Sequence, residues 1–289
     1  MNQNKSKVKG IMYILMAGFS FACMSLFIKL AGDVPTFEKS FFRNLVAIFF
    51  AAGVMIKNHI PFEIGARSNL KYLLARSIAG TVGVFGNFYA VDHLVIADAN
   101  MLNKLSPFFA IIFSFFLLKE KIKPYQLICV VTAFCGMLFI VKPGMQGLNS
   151  FGALLGLIGG AAAGLAYTNL RLASLNGVKG PVIVLFFSVF SCLASIPFML
   201  PVYVHLSGYQ LFCLLMCGLS ATAGQFSITA AYSHAPAREI SVYDYSQIIF
   251  AAVLGMIFLG ELPDMLSIAG YIIITGAGVF MFLRGQKEE

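Results

Sequence analysis

Asn100, Asn103, Lys104 and Pro107 stand at i, i+3, i+4 and i+7, which puts two amides and an amine on one face of an otherwise apolar stretch, 97–120. The stretch is long enough to span a bilayer. A lysine this deep in hydrocarbon costs about 2.5–3.5 kcal/mol on insertion scales, so its ammonium is expected to face protein or a water-filled cavity. A second stretch, 239–261, repeats the spacing with Ile240, Tyr243, Asp244 and Gln247. The 141-residue offset between Glu120 and Glu261 carries Asn103 onto Asp244, Lys104 onto Tyr245 and Ser106 onto Gln247. Lys104 and Asp244 are then adjacent pseudo-equivalent positions, expected to meet across a repeat axis.

This chemistry suits a site for a small polar molecule. Its expected lining is Asn100, Asn103, Lys104, Tyr243, Asp244 and Gln247, joined by Asn87 and Gln225 from neighbouring spans. Arg43, one to two turns inside its span, either snorkels to the interface or joins the cavity. Phe19 is one of several phenylalanines that could stack on a planar or cationic substrate. The plainer reading of Lys104 and Asp244 is a structural ion pair that touches no substrate. A pair that opens when substrate arrives satisfies both, because a zwitterion can offer each charge a new partner.

The elements that must carry these residues are transmembrane helices. Hydrophobic residues make up 59% of the 289 and charged residues 11%, against about 25% charged in soluble domains. At about 20 apolar residues per span the chain accommodates ten helices and no sizeable soluble domain. The first five lie near 10–30, 37–56, 72–91, 97–120 and 124–141. The sixth carries Gly152, Gly156, Gly160 and Gly164, a small-residue stripe suited to close packing. The others fall near 181–204, 211–232, 239–261 and 265–283, with Pro197 expected to kink the seventh.

The loop 143–150 divides the chain into a first repeat, 1–145, and a second, 146–289. Two further matches support a duplication: Lys29 with Arg171, and Gly86-Asn-Phe88 with Gly224-Gln-Phe226. Lysine and arginine collect in alternate loops. With the N-terminus inside, the inner segments hold Lys5, Lys7, Lys9, Lys57, Arg67, Lys71, Lys119, Lys121, Lys123, Lys179, Arg238, Arg284 and Lys287, and the outer ones little beyond Lys39 and Lys142. Both termini are thus expected in the cytoplasm, with the chain in the inner membrane. Five spans per repeat, an odd number, invert the second half relative to the first, a pattern typical of secondary transporters.

Other classes find little support. The net charge of +8 belongs to membrane orientation rather than to nucleic acid. Cys23, Cys129, Cys135, Cys192, Cys213 and Cys217 lie in apolar runs without C-x-x-C spacing, and the four histidines lack ligand spacing, so no metal, cofactor or enzymatic centre is expected.

The motifs resemble the drug/metabolite transporter superfamily, and within it the EamA-type exporters. The likeness is carried by Ala97-Asp-Ala99 leading into Ser106-Pro107, by LLKEKIKPYQL at 117–127, by GMLFIVKPG at 136–144 and by FLGELPD at 258–264. It implies an all-α membrane fold of ten helices in two inverted five-helix repeats. It further implies alternating access around spans one to four and six to nine, with spans five and ten outside. Gln247-Ile248 stand where the first half has Ser106-Pro107, so a proline kink is not expected twice.

The expected function is secondary transport, outward, of a small polar amino-acid-like metabolite. The alternatives are exchange or uptake of a nucleoside-like cation such as S-adenosylmethionine, faintly suggested by Glu38-x-x-Phe-Phe-Arg43, and efflux of lipophilic cations. Proton coupling would run through Asp244, helped by Tyr243 or Tyr245. An exchanger needs no such group. A homodimer through spans five and ten is left open.

Overall fold

The computed structural model describes residues 2–65, 67, 69–117, 123–142, 147–234 and 241–287. Lys119, Glu120, Lys121, loop positions 143–146, Arg238, Glu239 and Ile240 lie outside them. So do the side chains of Lys5, Lys7, Arg171 and Lys287.

Among the described residues the secondary structure is helical throughout. The first half runs α1 (Asn2–Leu30), α2 (Thr36–Lys57), α3 (Asn69–His93), α4 (Ile96–Asn103), α5 (Ser106–Leu117) and α6 (Pro124–Val141). The second runs α7 (Gly147–Leu175), α8 (Gly180–Met199), α9 (Gly208–His234), α10 (Ser246–Leu259) and α11 (Met265–Lys287). Short 3₁₀ turns cover Leu200–Val202 and Ser241–Tyr245. Seven segments, with α4 and α5 counted as one, are long and apolar enough by themselves to cross a membrane. With α3, α9 and the shorter α10, they make ten spans in two inverted repeats.

Helix pairing shows the repeat symmetry directly. Span three packs on span six (α3 on α7), and its counterpart, span eight, packs on span one (α9 on α1). Spans two and seven pair with each other, as do five and ten (α2 on α8, α6 on α11). Each of those two pairs is its own image under a two-fold exchange of halves. Glycines allow the closest approaches: a Cβ on Gly86 would lie 2.5 Å from the Leu155 carbonyl oxygen.

The fourth span departs from the single helix expected for it. It breaks at Lys104-Leu105, and a new helix begins at Ser106. Pro107 has no N–H for the Asn103 carbonyl and its ring crowds that carbonyl, so the α4 ladder cannot continue through it. In the ninth span α10 is preceded directly by the 3₁₀ turn Ser241–Tyr245, and positions 235–240 lie outside the described residues. The proline break expected in one repeat only stands in the fourth span. The seventh span holds Pro197 within α8 and ends three residues later in a 3₁₀ turn.

Glycines on the facing helices seat the break of span four and the start of α10. A Cβ on Gly160 of α7 would lie 2.6 Å from the Leu102 carbonyl oxygen. A Cβ on Gly18 of α1 would meet Ser246 Oγ at 2.9 Å and Gln247 N at 3.1 Å. Gly18 and Gly160 are 142 residues apart, the same offset as Lys29 and Arg171. The two seats are repeat equivalents.

The basic residues at the two ends of the bundle behave differently. At the end away from the termini, Lys29 pairs with Glu261, Lys39 with Asp92 at 2.6 Å, and Lys142 with Asp264. Lys39 and Lys142, the two basic residues expected on the sparse side, are both buried in these pairs.

Candidate functional site

The break of span four and the 3₁₀ turn before α10 each present one member of a charge pair. Lys104 caps the C-terminus of α4 and donates from Nζ to Asp244 Oδ2 at 2.5 Å. The other Asp244 oxygen, Oδ1, is buried without a hydrogen-bond partner. One turn away, Asn100 Oδ1 accepts from Gln247 Nε2 at 2.6 Å and from Ser25 Oγ at 3.1 Å, and Asn100 Nδ2 donates to the Ile96 carbonyl at 2.8 Å. Both amides are buried. They tie α4 to α10 and α1, so their polar atoms are spent inside the protein.

The cavity lies elsewhere than these residues. It has a volume of about 290 Å³, at the small end for ligand pockets, and sits between α2, α3, α7, α8 and α9. Arg43 and Gln225 line it; Asn100, Asn103, Lys104, Tyr243, Asp244, Gln247, Asn87 and Phe19 do not. Asn87 is buried against α7, close to Gly159. Asn103 is half-buried at the end of α4. Tyr243 is exposed, and Phe19 stands half exposed on α1, edge-on to Phe250 at 5.6 Å between ring centroids. The single face read from i, i+3, i+4, i+7 spacing is divided because its helix is divided.

The structure adds a residue that the spacing argument missed. Arg76, one to two turns into α3, reaches the same cavity as Arg43. Its guanidinium lies 4.3 Å from the Phe187 ring centroid and that of Arg43 lies 5.7 Å from it. Gly80, one turn on, supplies the space: a Cβ there would stand 2.1 Å from an Arg76 terminal nitrogen. An arginine inside an apolar run, followed four residues later by glycine, was the available signal. Arg43 donates to the Asn44 side-chain oxygen at 2.6 Å, while the Nε of each arginine is buried without an acceptor. Ala47, Ala51, Val54, Ile183 and Val184 give the rest of the wall its apolar character.

The cavity extends to Val54, Ser174, Gly180 and Pro181, in the terminal turns of α2, α7 and α8. It thus opens toward the end of the bundle that carries both chain termini. The opposite end carries the three lysine–carboxylate pairs, with Glu261 accepting from the Ile96 N–H at 3.0 Å and Tyr271 donating to Asp98 at 2.6 Å, and a second cavity of about 350 Å³ there is lined by Lys29, Asp98, Lys142, Glu261 and Asp264.

Comparison with known proteins agrees with this architecture. The model of the EamA-like transporter family matches the chain twice, over residues 8–142 and 150–284. The chain belongs to that family. It is 32% identical to the pseudopaline exporter of Pseudomonas aeruginosa (strain UCBPP-PA14), covering 93% of this chain and 94% of that one. It is 26% identical to the human solute carrier family 35 member G1, over 95% and 79% of the two chains, and 23% identical to the S-adenosylmethionine uptake transporter of Rickettsia prowazekii, over 98% and 96%. A crystal structure with 14% identity superposes with a TM-score of 0.66 over 97% of this chain and 98% of its own, a likeness of fold. This EamA-like chain is a multi-pass membrane transporter of a small metabolite, not an enzyme.

Proposed function

We propose that the protein is an alternating-access secondary transporter that exports a small, polar, amino-acid-like metabolite across the inner membrane, with both termini in the cytoplasm. The observation that carries this reading is the cavity holding Arg43, Arg76 and Gln225, which opens toward the termini. At the other end a second cavity, of about 350 Å³, has the Lys29–Glu261 and Lys142–Asp264 pairs in its wall. In the orientation favoured by the positive-inside rule, substrate enters this form from the cytoplasm. The two arginines supply carboxylate recognition, since a planar guanidinium pairs with a carboxylate through two parallel hydrogen bonds. They argue against both cationic alternatives, because among the described residues no carboxylate lines the cavity.

Export requires the outer pairs to open and the inner end to close. Lys104, at the break of span four, and Asp244, in the 3₁₀ turn before α10, are placed to respond to that exchange, and the unpartnered Asp244 Oδ1 offers a place for a coupling proton. Counterflow in proteoliposomes loaded with a mixed panel of unlabelled amino acids, nucleosides and organic cations tests the reading. Accumulation of a labelled amino-acid-like compound is expected, and its loss in Lys104→Met and Asp244→Asn. Unchanged rate and affinity in both variants would remove the pair from the mechanism. Accumulation of cations alone would overturn the substrate class.

A further inference from the structure

We propose that the cavity takes an organic anion bearing two carboxylates, one for each of Arg43 and Arg76. The inference rests on the transport reading and narrows its substrate class. Two cationic side chains face one small cavity across the ring of Phe187. Their distances to its centroid, 4.3 and 5.7 Å, cap the separation of the guanidinium carbons at about 10 Å. Among the described residues no aspartate or glutamate lines the cavity with them. Lys104 offers no substitute and takes none, being engaged by Asp244.

Uncompensated like charges in a low-dielectric site are costly, and such groups in membrane spans mark substrate pathways. One carboxylate fills the fork of one guanidinium and leaves the other charge unmatched. A second carboxylate on the same ligand answers it. Arg43 has one terminal nitrogen engaged by the neutral Asn44 amide and the Nε of both arginines is without an acceptor, so neither charge is met by a carboxylate among the described residues. The missing Cβ at Gly80 is the sign that Arg76 has been given room to lie there. A zwitterion with one carboxylate would bring an ammonium toward the second arginine. A dicarboxylate with a short apolar middle suits both the charges and the apolar wall of Ala47, Ala51 and Val184.

The test is binding, with transport read in parallel. The full-length protein in nanodiscs is titrated with malonate, succinate, glutarate, adipate and N-acetylglutamate, and with leucine, inorganic phosphate and tetraphenylphosphonium. Thermal stabilisation and displacement of bound radiolabelled dicarboxylate are the readouts. At least one dicarboxylate is expected to bind, with affinity reduced tenfold or more in Arg43→Gln and in Arg76→Gln and partly recovered in Arg76→Lys. The lysine variant and the unliganded melting temperatures separate lost charge from lost fold. Binding of leucine, phosphate or tetraphenylphosphonium with none of the dicarboxylates overturns the proposal, as does dicarboxylate binding that neither glutamine variant weakens. The transport reading fails differently: a dicarboxylate then binds through both arginines yet shows no counterflow. If leucine is countertransported and no dicarboxylate binds, the transport reading stands and this proposal falls.

Discussion

Lys104 and Asp244, 140 residues apart in the chain, meet at 2.5 Å, the lysine at the break of span four and the aspartate in the 3₁₀ turn that leads into α10. Their side chains are largely withdrawn from solvent, with 11% and 22% exposure. Removing one partner leaves the other as an uncompensated charge. Lys104→Met or Asp244→Asn should each cost about 3–5 kcal/mol. The double variant should regain most of that stability while remaining inactive in counterflow, and thermal unfolding in detergent alongside transport separates the two effects.

The glycine seats give a steric prediction. Gly160→Val would drive a side chain into the Leu102 carbonyl, and Gly18→Val into the start of α10. Each should destabilise by about 1–3 kcal/mol, as overpacked sites do. Gly53→Ala is the comparison, since a Cβ there meets nothing within 4 Å. Melting temperatures of the three variants check the contrast.

The end of the bundle away from the termini should open when its ion pairs are weakened. Glu261→Gln removes the partner of Lys29 and weakens the acceptor for the Ile96 N–H. On a background without native cysteines, a cysteine at Asn103 should then react faster with an impermeant thiol reagent added from that side. An unchanged rate would mean that the pair does not hold the closed form.

Acid should act on the same end through Asp264. Partial burial alone would raise its pKa, but the hydrogen bond from Lys142 and the N–H groups of Ser267 and Leu266 outweigh it and hold the carboxyl below its usual range. The folded-state pKa is therefore depressed. The pair contributes stability above the ordinary carboxylate pKa of about 3.9, and the contribution disappears as pH falls through the lower folded value. Half of the Asp264 side chain is exposed, so the effect should stay within about 1 kcal/mol. Asp264→Asn should flatten the low-pH arm of a melting-temperature profile.

The spans and their duplication were legible in the sequence because apolar length and repeated helix-end motifs are local properties. The meeting of Lys104 with Asp244 followed from one offset and a two-fold axis. The location of the cavity did not follow. Periodicity assigns faces on an unbroken helix, and span four is broken between Asn103 and Ser106. Nor does a polar residue announce its partner: Asn100 and Gln247 satisfy each other, and only packed helices reveal it. Arg76 was readable as a charge inside an apolar run, but its kinship with Arg43 depends on Phe187 of α8, which comes from the other half of the chain.

Pro107 makes the interruption of span four a property of covalent structure, because no rearrangement of the neighbouring helices can give the Asn103 carbonyl the N–H that proline lacks. The first half therefore carries a fixed joint that cannot heal into continuous helix. Gln247-Ile248 stand at the equivalent place in the second half, so a chain made by fusing two copies of the first half would gain a fixed joint that this protein does not have there.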